Sequence, residues 1–252
     1  MSTSTPVPKV SIIIPTLHLK RPRNLKYFMF RRYTLPEVLD DLRSHVDIAI
    51  EVIVVCNGTE SDLVDCVKSH PRIDKYCLNK VNVGVSRGWN MGAMMAEGDT
   101  LLFLNDDVEV GTDAIEALYD VLTKDPTIGE VGPRGSLWKG AQHDRYVGED
   151  HPEDADNISG FCFMVRTETF SRVGGFDIAY TPAGFEEIDF SFAIRKLGLR
   201  CRVVPGLRIT HHFRHGVSAG PRDIPYLFKN INTTDLHERN KAYFKRKWNI
   251  AE

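Results

Sequence analysis

The sequence predicts an α/β fold with a mostly parallel central sheet flanked by helices. Between residues 10 and 125, short β-branched or leucine-rich runs alternate with segments of helical spacing. The runs are apolar throughout, as strands covered on both faces must be, rather than alternating apolar with polar. They end in Pro, Gly, Asn or Asp, residues that turn a chain away from a strand. A length of 252 residues accommodates one α/β domain with a substantial core. With 42% apolar and 26% charged residues, a disordered or fibrous chain is excluded.

In chain order, residues 1–9 are polar and proline-broken and read as a flexible tail. Val10 to Pro15 is the first strand, and a basic, aromatic stretch from Lys20 to Tyr33 follows it. Leu35 to Val46 has helical spacing. Ile50 to Val55 is a buried strand stopped at Asn57-Gly58, and Ser61 to Ser69 a serine-capped helix. Tyr76 to Asn79 is a weak strand. Ser86 to Ala96 is a helix with small residues, Thr100 to Leu104 a strongly apolar strand, and Thr112 to Lys124 a helix opened by a threonine cap. The Gly-, Pro- and His-rich segment Gly129 to Asp156 is expected to loop over the surface. Ile158 to Arg166 is a strand, Thr167 to Val173 a short helix closed by Gly174-Gly175, and Phe185 to Leu197 a helix stopped at Gly198. Arg200 to Thr210 is the final strand and Asp235 to Trp248 a basic helix. No linker divides the chain, so a single domain over 1–252 is expected, with halves 10–125 and 126–220 and a helical extension 221–252.

Acids and bases nearly cancel, 34 against 32, so no nucleic-acid partner is expected. No apolar run approaches the roughly 18 residues of a membrane span, and the N-terminus lacks signal-peptide features. The five cysteines form no C-x-x-C pair. They read as reduced thiols, which fits a cytoplasmic protein.

In open α/β sheets, ligands sit outside the carboxyl ends of the strands. Here those ends carry Pro15-Thr16, Cys56-Asn57-Gly58 and Asn105-Asp106-Asp107. Adjacent carboxylates at a buried strand end repel each other, and a hard cation such as Mg²⁺ or Mn²⁺ relieves that repulsion. The same acids would serve equally as a polar turn before the next helix. Glu186, Glu187 and Asp189 crowd a helix start, where the helix dipole favours acids; one of them facing a cleft would act as a general base. His211 and His212 follow a strand and offer imidazole to a metal, without the Cys and His spacing of a zinc site. Gly84, Gly88 and Gly92, with Arg87 among them, open a helix where backbone N–H groups approach phosphate, or where helix and sheet pack closely. The basic stretches at Lys20–Arg32 and Lys241–Lys247 are solvated amphipathic surface or a contact to an anionic membrane face.

The order of these motifs resembles the family 2 glycosyltransferases over roughly residues 10–220. Ser11-Ile-Ile-Ile-Pro-Thr16 resembles the family's opening strand, Val54-Val-Cys-Asn-Gly-Thr59 its second strand end, and Asn82-Val-Gly84 with Asn90-x-Gly92 the turn and helix that follow. Leu102-Phe-Leu-Asn-Asp-Asp107 resembles the "DXD" strand, and Ser159 to Arg166 with Val173-Gly-Gly-Phe-Asp177 the acceptor-side segment. Glu186-Glu187 stands where the family has its Glu-Asp pair, and Val204-Pro-Gly-x₄-His211 resembles the strand that carries a metal-binding histidine.

The resemblance implies a GT-A fold, with residues 10–125 as the nucleotide-sugar-binding half and 126–220 as the acceptor half. It implies inverting transfer of a sugar from a nucleoside diphosphate sugar to a hydroxyl of a glycan or lipid-linked glycan, in polysaccharide or glycoconjugate synthesis. Mn²⁺ or Mg²⁺ would be held by Asp107 and His211. Glu187 would be the base, with Glu186 beside it. Pro15, Thr16, Cys56, Asn57, Gly84, Arg87, Asn105 and Asp106 would line the nucleotide pocket. Cys56, Asn105 and Glu187 stand where the family has Asp. The alternatives are a glycosyltransferase-like binding protein with a decayed site and a sugar-phosphate nucleotidyltransferase. Oligomeric state is left open, as is peripheral contact with the inner face of a membrane.

Overall fold

The computed structural model describes residues 8–19, 33–148, 150–212 and 220–250. Residues 1–7 of the tail expected over 1–9, the basic stretch 20–32 and the histidine-bearing segment 213–219 lie outside the described residues.

The first half alternates strand and helix as the sequence predicts: β1 (Val10–Thr16), α1 (Leu35–Ser44), β2 (Ile50–Cys56), α2 (Ser61–Ser69), β3 (Lys75–Leu78), α3 (Val85–Met95), β4 (Thr100–Leu104), a short β5 (Val108–Val110) and α4 (Ala114–Lys124). Three caps differ from expectation. Thr34, not read as a cap, forms a capping box with Glu37. Ser61 is the first helical residue, and Glu60 precedes it without a side-chain bond to the helix backbone. Thr112 does not cap α4; Asp113, in the left-handed region, precedes that helix instead.

The second half departs further. The segment expected to loop, Gly129 to Asp156, carries β6 (Ile128–Gly132), β7 (Gly135–Lys139), β8 (Gln142–Val147) and β9 (Glu153–Ala155). Its polar residues misled because β8 is exposed along most of its length, whereas β6 is wholly buried. After β10 (Asn157–Ile158) and β11 (Cys162–Arg166) come α5 (Thr167–Val173), a 3-10 turn at Ile178–Tyr180 and α6 (Glu186–Lys196). The single strand expected over Arg200–Thr210 is two, β12 (Arg200–Val203) and β13 (Ile209–His211), parted at Pro205-Gly206. Proline cannot continue the ladder, and Gly206 adopts a positive φ of 74°. A hairpin of β14 (Asp223–Tyr226) and β15 (Lys229–Asn232) then leads into α7 (Thr233–Lys247).

One eight-stranded sheet, in the order β3-β2-β1-β4-β11-β6-β12-β9, takes strands from both halves. β11 and β9 run against the others, which are mutually parallel. Side chains alternate across it. Ile12, Ile14, Leu102 and Leu104 face the core under α1, α2 and α4. Ile13, Leu101 and Phe103 face an aromatic core under α3, α5 and α6. There Phe103 stacks on Phe163 at 5.0 Å, and Trp89 meets Phe103 edge-on at 5.6 Å. Gly92 is where α3 crosses β1: a Cβ there would lie 2.4 Å from Ile13 Cγ2. The small residues of α3 therefore serve close packing.

β1 and β2 are in register to their ends, with Thr16 opposite Cys56. β4 ends beside them, so the three strand ends marked in the sequence reach one edge. The C-terminal helix folds back on the second half. Asp189, on α6, is buried and accepts bonds from Tyr180 (3.0 Å), Trp248 Nε1 (2.8 Å) and Lys247 Nζ (2.7 Å). All five cysteines are free, and burial pushes the Cys162 thiol up to about 12. No helix among the described residues is long and apolar enough to cross a membrane.

Candidate functional site

A cleft of about 1640 Å³ opens along the carboxyl ends of β1, β2 and β4 and runs to the start of α6. Pro15, Thr16, Asn57, Gly84, Asn105 and Asp106 all line it. Thr16 Oγ1 donates to Asp106 Oδ2 at 2.7 Å, which fixes that carboxylate against β1. Asn57 is buried and held on both sides: its N–H donates to Thr16 O at 2.7 Å, and its Oδ1 accepts from Asn79 Nδ2 at 3.1 Å. Gly84 begins α3 with φ of 85°, and a Cβ there would lie 2.8 Å from Pro182 Cα.

Two residues expected in this pocket are not on its wall. Cys56 is fully buried behind Asn57, its thiol near Gly58 O at 3.2 Å. Arg87 turns to hydroxyls, donating to Thr181 Oγ1 at 2.9 Å and to Tyr226 Oη. It thereby ties α3 to the β14 hairpin, which is further joined by Leu227 N–H to Asn82 O at 2.8 Å.

Asp107 and His211 meet because β13 pairs antiparallel with β5, placing His211 opposite Val108. His211 Nε2 lies 3.3 Å from Asp107 Oδ1, and its ring stacks on Phe161 at 4.7 Å. Asp107 is 1% exposed and His211 is half-buried. His212 points elsewhere, bonding Glu109 Oε2 at 2.8 Å and stacking on Tyr33 at 4.4 Å. His212 meets Asp107 only through its backbone N–H, 3.1 Å from Asp107 O, so of the two imidazoles it is that of His211 that faces the Asp107 carboxylate.

Along the same cleft, Phe185 takes a left-handed conformation, φ 76°, and α6 starts with Glu186 and Glu187 facing the cleft. Burial, joined by the neighbouring Glu187 charge, pushes the Glu186 carboxyl well above its ordinary range. Its Oε2 has no hydrogen-bond partner among the described residues. Burial also raises Glu187, against the opposing pull of its own and the Ile188 backbone N–H groups and of His237. Asp189, which shares this acidic turn, is not in the cleft but under α7.

Behind α6 lies Glu130, fully buried on β6 and pushed up by burial to about 8. Ser191 Oγ is 2.7 Å from Glu130 Oε2, 3.0 Å from Glu187 O and 3.3 Å from Ile158 N. One hydroxyl proton cannot serve both oxygens, so the set closes when Glu130 carries a proton and donates to Ser191.

The sequence reading missed several lining residues, among them Arg134, Tyr146, Arg222, Asp223 and His237. Arg134 stands just past the carboxyl end of β6, a position that marks a site once β6 is recognised as a strand. His237 lies on the same face of α7 as the buried Asn240, three residues on. That spacing was its one signal.

Residues 29–170, more than half of the chain, match the family model described as Glycosyl transferase family 2. A glucosyl-dolichyl phosphate glucuronosyltransferase of Haloferax volcanii is 25% identical over 186 residues, covering 67% of this chain and 56% of that protein. An N-acetylglucosaminyl-diphospho-decaprenol L-rhamnosyltransferase of Mycobacterium tuberculosis is 26% identical over 232 residues, with 74% of each chain covered. Among solved structures, GalNAc-T7 with UDP, GalNAc and Mn²⁺ superposes with a TM-score of 0.65 at 17% identity, over 82% of this chain and 44% of that one. The mannosyltransferase PcManGT of Pyrobaculum calidifontis, in complex with GDP-Man and Mn²⁺, gives 0.61 at 18% identity, over 84% and 59%. The chain thus spans about half the length of several proteins it matches. By this match and this architecture, the chain belongs to glycosyl transferase family 2 and has the GT-A fold.

Proposed function

We propose that this protein transfers a sugar from a nucleoside diphosphate sugar to a hydroxyl of a glycan or lipid-linked glycan, with inversion at the anomeric carbon. One observation carries the reading. The Asp107–His211 pair and the raised carboxyl of Glu187 line a single cleft, joined through Gly160 and Phe161.

The residues at Asp107 fit a divalent cation. A carboxylate oxygen and an imidazole nitrogen 3.3 Å apart form a mixed donor pair that suits Mn²⁺, with Mg²⁺ the harder alternative. Among the described residues, no group of three or more His, Cys, Asp or Glu side chains gathers to hold a metal alone. Bound there, the cation would offset negative charge on the leaving diphosphate. Asp106, fixed by Thr16, faces the nucleotide side, and Asn57 and the Gly84 turn line the same pocket.

Glu187 takes the proton of the acceptor hydroxyl as that oxygen bonds to the anomeric carbon and the bond from that carbon to the diphosphate oxygen breaks. A carboxylate raised by burial is a stronger base at neutral pH than an exposed one. A single displacement of this kind inverts the anomeric centre. Relatives whose names specify dolichyl phosphate and diphospho-decaprenol substrates support a lipid-linked acceptor.

The test is calorimetric titration of UDP, GDP and dTDP and their hexose conjugates, each with Mn²⁺ and with EDTA. Metal-dependent binding of one nucleotide, abolished in Asp107→Asn, supports the reading. If no nucleotide or conjugate binds in a metal-dependent way, the reading fails in favour of a decayed site.

A further inference from the structure

Arg134 follows β6 through Pro133 and stands half-buried in the cleft wall. Its guanidinium carbon lies over the Tyr146 ring, 3.8 Å from the centroid, a cation–π contact that seats the group against that ring. Other arginines of the second half pair with acids: Arg145 with Glu153 at 3.0 Å, Arg195 with Asp156 at 2.8 Å, Arg200 with Asp125 at 2.7 Å and Arg202 with Asp154 at 2.8 Å. Arg134 has no carboxylate within ion-pair distance among the described residues.

The backbone ties Arg134 to the segment that packs on the base. Its carbonyl accepts Ser159 N–H at 2.9 Å. The next residue, Gly160, packs so closely on Glu187 that a Cβ would lie 3.2 Å from Glu187 Cγ. The residue after Gly160, Phe161, stacks on His211, and Asp107 immediately precedes β5, so the same segment runs from Arg134 past Glu187 to the Asp107–His211 pair. One cleft thus has two features that suit phosphate oxygens, and the donor diphosphate needs one of them.

We propose that Arg134, oriented by Tyr146, is an acceptor subsite for a phosphate ester, so that the acceptor carries a phosphate or diphosphate close to the hydroxyl that Glu187 deprotonates. The fork of a guanidinium matches two phosphate oxygens at once, and a guanidinium already seated on a ring gives up little freedom on binding. The proposal rests on the glycosyl-transfer reading, and it extends that reading from the donor to the acceptor.

The test uses probes that need no knowledge of the sugar. Farnesyl diphosphate, inorganic pyrophosphate and farnesol are titrated into the full chain, first alone and then saturated with the nucleotide and Mn²⁺ selected above. Farnesyl diphosphate should bind the saturated protein, and Arg134→Gln should weaken it by about tenfold or more. Nucleotide–Mn²⁺ binding by Arg134→Gln should stay within about twofold of the parent, which shows that the variant is folded. Tyr146→Leu should weaken the diphosphate by a smaller factor, and this carries the test if Arg134→Gln does not fold. Binding of pyrophosphate as well as farnesyl diphosphate makes the phosphate itself the ligand; binding of farnesyl diphosphate alone identifies a lipid carrier. Equal binding by parent and both variants overturns the subsite, as does diphosphate binding no tighter than farnesol. Loss of nucleotide–Mn²⁺ binding in the parent protein overturns the transferase reading instead, and the titrations without nucleotide still report on Arg134.

Discussion

Asn240 Nδ2, on the C-terminal helix, donates to the carbonyl of Gly184, 2.8 Å away and two residues ahead of Glu186. The same nitrogen faces Tyr180 O at 2.8 Å and Ala183 O at 3.0 Å, and Arg239 Nη2 donates to Thr181 O at 2.6 Å. The loop that delivers the two glutamates is therefore held from behind by a helix that does not contribute them.

That arrangement predicts a joint loss. Asn240→Leu leaves several buried carbonyls without donors and should lower unfolding free energy by about 2 kcal/mol. It should also reduce transfer. Urea denaturation alongside initial rates checks both effects; unchanged rates in a destabilised variant would separate the loop from the chemistry.

Glu187→Gln keeps the shape of the proposed base and removes its proton-accepting charge. Transfer should fall by about 100-fold or more, while nucleotide binding persists. In the parent enzyme, burial raises Glu187, so the acid limb of the kcat profile should sit above the ordinary carboxylate range. Rates across pH 4–9 decide this, and an unchanged rate in Glu187→Gln removes Glu187 from the base role.

The two histidines should behave differently. His211→Ala should weaken Mn²⁺-dependent nucleotide binding, because His211 lies 3.3 Å from Asp107. His212→Ala removes a bond to Glu109 and a stack on Tyr33, so it should affect stability alone. Titration of Mn²⁺ into each variant with nucleotide present measures the contrast.

Glu130 gives stability a pH slope of known sign. Its carboxyl is pushed from 4.5 up to about 8 in the folded chain. Between those values the folded state holds a proton that the unfolded state has released. Stability from this group is thus full below the lower value and is lost as pH rises through the upper one. Glu130→Gln, which keeps a donor to Ser191, should flatten that slope and raise the urea midpoint at pH 8.5 relative to the parent. Parallel midpoint curves would show that Glu130 is charged in the fold.

Close packing at Gly92 is testable through its partner. Gly92→Ala should cost about 1–3 kcal/mol, because its Cβ meets Ile13 Cγ2. Adding Ile13→Ala should cost less than the sum of the two single changes, which a double-mutant cycle in urea measures.

The first half was legible because each buried strand is a continuous apolar run and each helix an amphipathic one; Ile12-Ile13-Ile14 needs both faces covered whatever surrounds it. The second half was harder to read because β8 is exposed nearly throughout and β6 is broken by glycine and glutamate, so neither has a buried strand's signature. Among the site residues, Asp107 and His211 are far apart in sequence and meet through a three-residue pairing of β5 and β13 that no periodicity announces. Asp189 was grouped with the glutamates by spacing. Its place under α7 depends on Lys247 and Trp248, residues whose packing the sequence pattern does not encode. Arg87 looked like a phosphate ligand from its glycines, yet the hydroxyls of Thr181 and Tyr226, distant in sequence, claim it.

The grip of α7 on the loop ahead of Glu186 has a consequence for how the protein comes into being. On the ribosome, residues 180–187 emerge well before the helix that secures them. Until that helix has been made and has docked, the carbonyls of Tyr180, Ala183 and Gly184 lack their partner and buried Asp189 lacks Lys247 and Trp248. The nascent chain can therefore complete its first half while its glutamates are still unset. A truncated chain lacking the last helix would carry every described residue of the cleft except His237, yet it would not hold the glutamates in place.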